Sequence, residues 1–428
     1  MSAGALGRSA QGGAVLLLGV LLLASLSMGL LAYFYLSLLT GHKMRQQYAN
    51  DAAAYSAAVV QARALNLLSY VNRAHLAHQV ALAHLITMAS WHQSGLHQQS
   101  RLRRANPPVH LLALFFGPEA AWSYQASLAL HESDQHALLN AIGQHQGLVQ
   151  HSLKQLQDDI LDRLPAEREH IVEQVIATNF PELSVTDWQA QIHTDAWPTA
   201  FQLRPTASLA SRHSLEYLQS LYVFLQSRDA QQRSLWIVDE RCPWRRHELR
   251  RRGRTVLDDQ ARWSASDTQS LHALRANRWI ACYSREYPLA WAWITGGAQT
   301  SFTEAYSAQA PADFSDQSFW SWVKDYTTWD IFTGQENALA NSWAVRDYVL
   351  FSADPMPDLW QLREPTPLAF SVSLRMRGPA NQWVNTHSAG ETYYRRPPGA
   401  QIAVLETAHL FQAYWLARLS ALALEASL

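Results

Sequence analysis

An unbroken apolar run, Ala14–Leu39, constrains this 428-residue chain more than any other feature, because none of its 26 residues is charged. As an α-helix it would be about 39 Å long, which exceeds the roughly 30 Å hydrocarbon core of a bilayer. A cleaved signal peptide is the alternative, but its apolar core would span about 7–15 residues and end at a small-residue cleavage site. We therefore predict a short tail over 1–13 and an uncleaved transmembrane helix over 14–40.

Flanking charge leaves the orientation of this helix open. Arg8 precedes the apolar run, and Lys43 and Arg45 follow it. The excess of Lys and Arg that marks the cytoplasmic side of a membrane helix favours neither end.

The chain continues without a loop signal into an alanine-rich amphipathic helix, predicted over 41–92. Its expected apolar stripe recurs at steps of three and four residues and comprises Val60, Ala64, Leu67, Val71, Ala74, His78, Leu82 and Leu85. The small side chains of Ala52–Ala54, Ala57, Ala58, Ala62 and Ala64 would let another helix approach closely, and we expect a partner helix to pack there, although alanine is also simply the best helix former. Ser25 and Gly29 form a small-xxx-small pair of the kind that lets membrane helices touch.

The rest of the chain divides into a helical region, 93–200, and a β-rich, tryptophan-rich region, 201–428. Pro165 is expected in the first turn of a new helix, where its missing N–H costs nothing, and Pro181 is expected to end that helix. Strands are expected at Leu235–Val238, Arg246–Leu257, Arg278–Ile294, Tyr348–Ser352 and Leu368–Met376. The predicted class is α+β.

Composition argues against nucleic acid as a partner. The formal net charge is −1, so no general field attracts a polyanion. The one basic run lies between Arg245 and Arg254, and Glu248 and Asp258 dilute it; a solvated strand face is the simpler reading.

No catalytic, cofactor-binding or metal-ligating constellation emerges. His75, His78 and His84 lack neighbouring Cys, Asp or Glu partners for a metal. His131 and His136 are five residues apart, whereas a zinc-protease helix needs four. Phosphate-binding and serine-hydrolase motifs are absent from the sequence. We therefore predict a non-enzymatic protein with no site residues and no cofactor.

Cys242 and Cys282 are the two cysteines. In an oxidising compartment they could pair, whereas two unrelated buried thiols are the alternative. Spacing alone does not decide between these readings.

The segment Gln47–Ala58, with Asp51 and Ala52–Ala54 directly after a membrane helix, resembles the TadG-like proteins of Tad (Flp) pilus systems. The resemblance covers about residues 10–90 and is fainter in the C-terminal LETAHLFQAYWLARL. It implies a bacterial inner-membrane protein with its C-terminal body in the periplasm. Its partners would be other pilus-assembly or pilin-like membrane proteins, met through the N-terminal helix.

Two departures qualify this resemblance. The DxSxS stretch of a von Willebrand A-type domain is absent from the sequence. A prepilin-peptidase cut after Gly7 would put Gly12 where pilin-like relatives carry glutamate, so neither peptidase processing nor incorporation into the filament follows. A bitopic receptor or sensor ectodomain and a membrane-tethered periplasmic enzyme remain as alternatives.

Overall fold

The structure is a computed structural model. It describes residues 9–204, 217, 220–237, 240, 243–257, 262–277, 281–295, 358–364, 367–396 and 407–421. The chain forms two compact units. Unit 1 comprises Met1–Tyr70, Asp158–Gln202 and Trp360–Leu428, and unit 2 comprises Val71–Gln157 and Leu203–Leu359.

One helix accounts for the apolar run and the alanine-rich segment together. The helices are α1 (Ser9–Arg103), α2 (Val109–Phe116), α3 (Pro118–Ala126), α4 (Glu132–Gly147) and α5 (Lys154–Asn179), with a π-helical turn at Leu148–Leu153 between the last two. The predicted passage from apolar to amphipathic helix is confirmed, and α1 continues beyond the expected end at residue 92.

The described strands are β1 (Trp188–His193), β2 (Phe201–Arg204), β3 (Ala230–Arg233), β4 (Glu248–Leu257), β5 (Trp263–Asn277), β6 (Ala281–Thr295), β7 (Leu359–Leu362), β8 (Leu368–Arg377), β9 (Trp383–Tyr394) and β10 (Trp415–Leu419). Unit 1 contains an antiparallel sheet in the order β1-β8-β9-β10, and unit 2 contains one in the order β3-β4-β5-β6. β2 and β7 form a separate pair. Helices followed by antiparallel sheets confirm the α+β class.

Three of the expected strands are confirmed as β4, β6 and β8, and Tyr348–Ser352 lies outside the described residues. The prediction at Leu235–Val238 is wrong for its described part. Ser234 Oγ donates to the Trp236 carbonyl (3.0 Å) and accepts from its N–H (3.2 Å), and such local bonds compete with a strand ladder. The predicted helical region 93–200 contains α2 to α5, and strand β1 lies near its end.

Pro165 lies inside α5 and not in a first turn, so that prediction is wrong as well. A proline leaves the carbonyl four residues earlier without its helical donor. That carbonyl belongs to Leu161, and Trp197 Nε1 donates to it at 3.1 Å. The indole therefore replaces the missing backbone bond, which allows the helix to continue to Asn179, just before Pro181.

The core of unit 1 lies between the sheet and the two helices α1 and α5. One face of β8 buries Phe370, Val372, Leu374 and Met376, the alternate residues of an amphipathic strand. The same cluster contains Val172, Ile176 and Phe180 of α5, together with Ala49, Ala53, Ala54, Ala57 and Ala58 of α1. The chain's own sheet and α5 therefore cover these alanines, and the helix that approaches them closely is α5 of the same chain.

Amide side chains occupy the buried face of α1. Gln46 donates to the carbonyls of Leu374 (2.8 Å) and Val384 (3.0 Å), and Asn50 donates to that of Val372 (3.2 Å). The expected apolar stripe was displaced from this face: Leu67, one of its members, is 45% exposed. A pattern of apolar residues does not indicate these buried amides, whose NH2 groups are satisfied by the strand carbonyls.

Replacing Ala54 with leucine is expected to destabilise unit 1 by about 1–3 kcal/mol, because overpacking strains a dense core. Strand β9 leaves no room, since a Cβ at Gly390 would lie 2.6 Å from the Ala54 carbonyl oxygen and 3.1 Å from Ala58 Cβ. Denaturant titration of the full chain in detergent would measure the loss. Ala52→Leu is the matched control, because Ala52 is exposed on the same helix; equal losses in both variants would contradict this packing.

Candidate membrane anchor and its junction with unit 1

The first part of α1 is apolar and has no cover within the described chain. Every side chain from Val15 to Phe34 is exposed, and the most apolar window has a mean hydropathy of 2.5 with 0% of it buried. A core helix of a water-soluble protein would be buried. By length and composition, this helix can cross a membrane or act as a signal anchor.

The helix changes from exposed to buried between Phe34 and Gln46. Tyr35 Oη donates to the Pro379 carbonyl (3.4 Å), and Gln46 is completely buried. Arg45 pairs with Glu182 (2.8 Å), donates to the Asn179 carbonyl (2.7 Å) and lies over the Phe180 ring. The junction is therefore tied to the end of α5, and the apolar segment leaves unit 1 as a continuation of one of its core helices.

The small-residue pair lies on the exposed segment. Ser25 Oγ donates to the Leu22 carbonyl of its own helix (2.9 Å), which satisfies the hydroxyl locally. A Cβ added at Gly29 would meet nothing within 4 Å. This face is therefore open, whereas the alanine face is filled.

The histidines weighed as metal ligands have different surroundings. His75 is buried, the His78 ring lies 5.4 Å from that of His145, and the exposed His84 ring lies 4.7 Å from that of Phe224, tilted by 46°. In the described part of the chain, no group of three or more His, Cys, Asp or Glu side chains could hold a metal ion.

Other residues considered from the sequence have identifiable surroundings. Arg250 of the basic run pairs with Glu248 on the same strand, at 2.5 Å. Asp158 accepts a hydrogen bond from Trp360 Nε1 at 2.6 Å. Asp258, Cys242 and the side chain of Cys282 lie outside the described residues, and with them the predicted alternatives for the two cysteines.

Arg168 joins several elements of unit 1 through buried hydrogen bonds, and no sequence pattern indicates this role. It is 1% exposed and donates to both carboxylate oxygens of Asp195 and to Gln61 Oε1 (2.6 Å). Gln61 in turn donates to the Leu368 carbonyl and to Thr392 Oγ1, both at 2.9 Å. One arginine thus links α5, α1 and the sheet of unit 1.

Two buried histidines of unit 2 are held neutral. Burial lowers the pKa of His75 to about 4, with a smaller contribution from His78. Burial likewise lowers the pKa of His247 to about 4, and its Nδ1 accepts the Leu274 N–H at 2.7 Å. Both pKa values lie below the ordinary 6.5, so protonation favours the unfolded state.

Stability of unit 2 is therefore expected to be complete above pH 6.5 and to fall as the pH drops from 6.5 to about 4. Each histidine contributes up to about 3 kcal/mol to that loss. Denaturant titrations across this range would show it, and His247→Asn should remove about half of the pH dependence. His151→Asn, at an exposed position, serves as control; an unchanged slope in His247→Asn would contradict the assignment.

Comparison with known proteins adds nothing to these observations, since no family model, curated protein or solved structure matches this chain.

Proposed function

We propose that this chain is a non-enzymatic, single-pass component of the inner membrane that serves a Tad (Flp)-type pilus, as a minor-pilin-like subunit or assembly factor with a periplasmic body. The observation that carries the proposal is the division of α1. Its first part is apolar and exposed, and its next part is a core helix of unit 1.

The exposed part needs an apolar environment. A contiguous apolar surface of this length is not stable in water and marks a membrane or protein contact. A bilayer provides such an environment for a single subunit, and the apolar helices of neighbouring subunits provide it in a filament. Rigid continuation into unit 1 means that any movement of the anchor moves the body as well.

The resemblance to TadG-like proteins supplies the setting and the orientation. Its motif residues Gln47 and Asp51 hold α1 to β9: Gln47 Nε2 donates to Asp51 Oδ1 (2.9 Å) and to the His387 carbonyl (3.0 Å), and Ser388 Oγ donates to Asp51 Oδ1 (2.6 Å). The motif therefore has a physical role in joining helix to sheet.

A partner helix would bind the part of α1 that unit 1 does not cover. Because the alanines are buried, partner helices would meet the segment 15–39 instead. Ser25 and Gly29 offer a small-residue face on which a second apolar helix can pack closely.

Deletion of the gene followed by a count of surface pili tests the proposal. We expect pili to be lost or strongly reduced and to return with the full chain. Complementation with Leu22→Arg should fail, because an arginine at the centre of a membrane helix costs about 2.5–3.5 kcal/mol. Ser100→Arg, at an exposed position of the same helix outside the apolar run, should restore pili. Undiminished pili in the deletion strain would overturn the proposal.

A further inference from the structure

The sheet of unit 1 has two edges, and in the described part of the chain no further strand pairs with either of them. In the order β1-β8-β9-β10, the outer strands are β1 and β10. The known bonds to the outer edge of β10 are those of Asn66, which accepts the Trp415 N–H and donates to its carbonyl, each at 3.0 Å. Backbone groups alternate along a strand, so those of Ala417 and Leu419 also point outward. Such unpaired edges are templates for another strand.

The edge of β1 faces a groove of about 300 Å³. Four consecutive residues of β1, Ala190–His193, form one wall, and Glu169, Val172 and Glu173 of α5 form the other. Successive side chains of a strand point to opposite faces. A wall made of four consecutive residues therefore exposes the strand's own backbone edge to the groove.

We propose that β10 of a second copy of this chain pairs with β1 in this groove and extends the sheet from copy to copy. The inference deepens the proposed function and rests on it for the setting, a membrane in which copies meet.

Strand directions allow this pairing to repeat. Each neighbouring pair in the sheet is antiparallel, so β1 and β10 run in opposite directions. A second copy in the same orientation therefore adds its β10 antiparallel to β1, and its own β1 stays free for a third copy. Such a head-to-tail contact uses a different surface on each copy, so it can continue from copy to copy and build an open filament.

Side chains on the helix-covered face match across this joint. Ala190 and Ile192 of β1 are half-buried next to α5, and Ala417 of β10 is half-buried on the same side of the sheet. Leu419 is two residues further along that face and is 46% exposed. Pairing would cover this leucine with the apolar residues of the neighbouring β1.

Charge matches as well. Glu169 and Glu173 are exposed one turn apart on α5, next to the β1 edge. Arg63 is exposed on α1, three residues before Asn66, which marks the β10 edge. Residues three apart share a helix face. Joining the edges would bring the Arg63 of one copy beside the two carboxylates of the next.

Cysteine crosslinking between full-length copies in native membranes tests the pairing. Two differently tagged chains would be co-expressed, one with Gln191→Cys and the other with Leu416→Cys, both exposed on the sheet face away from the helices. Mild oxidation should give a 191–416 adduct above the background of the unmodified chains. Arg375→Cys, exposed on an inner strand, is the matched control and should give none with Leu416→Cys.

A charge exchange adds a second readout. Arg63→Glu should lower the yield of the 191–416 adduct by about fivefold, and adding Glu169→Arg with Glu173→Arg should restore it. Arg73→Glu, at an exposed position further along α1, should leave the yield unchanged.

The outcomes separate this inference from the proposed function. Pili that depend on the chain without a 191–416 adduct would overturn the pairing alone, as would a predominant 191–191 adduct or an adduct of Gln191→Cys with a different protein only. A 191–416 adduct in a strain whose pili do not need the chain would support the pairing and overturn the pilus role.

Discussion

Replacing Arg168 with methionine is expected to lower the free energy of unfolding of unit 1 by about 3 kcal/mol, the lower part of the range for breaking a buried ion pair. Arg168 is 1% exposed, and its loss leaves the Asp195 carboxylate and the Gln61 amide oxygen without their strongest donor. Asp195 is 21% exposed and keeps the Trp197 N–H at 3.0 Å, which limits the cost.

The same helix provides the control. Arg163 pairs with Asp159 at 3.6 Å, but its side chain is 72% exposed. An exposed pair of this kind contributes well under about 1 kcal/mol, so Arg163→Met should leave the stability of unit 1 nearly unchanged. Denaturant titration of both variants in detergent, followed by tryptophan fluorescence, measures the difference. Equal stabilities for Arg168→Met and Arg163→Met would mean that Arg168 does not link the parts of unit 1.

In unit 2, changing Asp267 to asparagine is expected to cost about 3–5 kcal/mol, because it leaves Arg228 with a buried and uncompensated charge. Arg228 Nη2 lies 3.0 Å from Asp267 Oδ2, and their side chains are 18% and 2% exposed. Ser90 Oγ also donates to this carboxylate, at 2.8 Å. Burial raises the pKa of Asp267, while the Arg228 guanidinium opposes that rise.

A double-mutant cycle identifies the pair as the cause. Arg228→Met should cost about as much as Asp267→Asn, and the double variant should cost clearly less than the sum of the two, since each single change removes the same interaction. Arg233→Met is the exposed control: Arg233 pairs with Glu248 at 3.4 Å with its side chain 69% exposed. Additive losses at Arg228 and Asp267 would contradict a direct interaction between them.

Some parts of the fold follow from sequence patterns because their causes are local. Hydropathy and helix propensity are enough to predict α1. The strict alternation of apolar and polar residues is enough to predict β8, whose apolar residues are buried as expected. Strand β5 was missed because Asp267, a poor strand residue, lies in its middle. That residue is stabilised there by Arg228, 39 positions earlier, and by Ser90 of α1.

The buried face of α1 was misplaced for a related reason. Gln46, Asn50 and Gln61 look like surface residues, yet their partners are strand carbonyls and a threonine more than 300 positions away. The pairing of β1 with β8 likewise joins His193 to Ser371. Such contacts depend on topology, which no local pattern encodes, and for this reason the alanines were assigned to a partner helix instead of the chain's own sheet.

The N-terminus of the mature protein in the membrane tests the central claim most directly. If α1 is one uncleaved helix that anchors unit 1, intact mass and N-terminal sequencing of detergent-extracted protein will place the first residue before Ala14. The protein will also stay with the membrane through an alkaline carbonate wash. A first residue beyond Leu39, with the body released into the soluble fraction, would show a cleaved signal peptide and contradict the account.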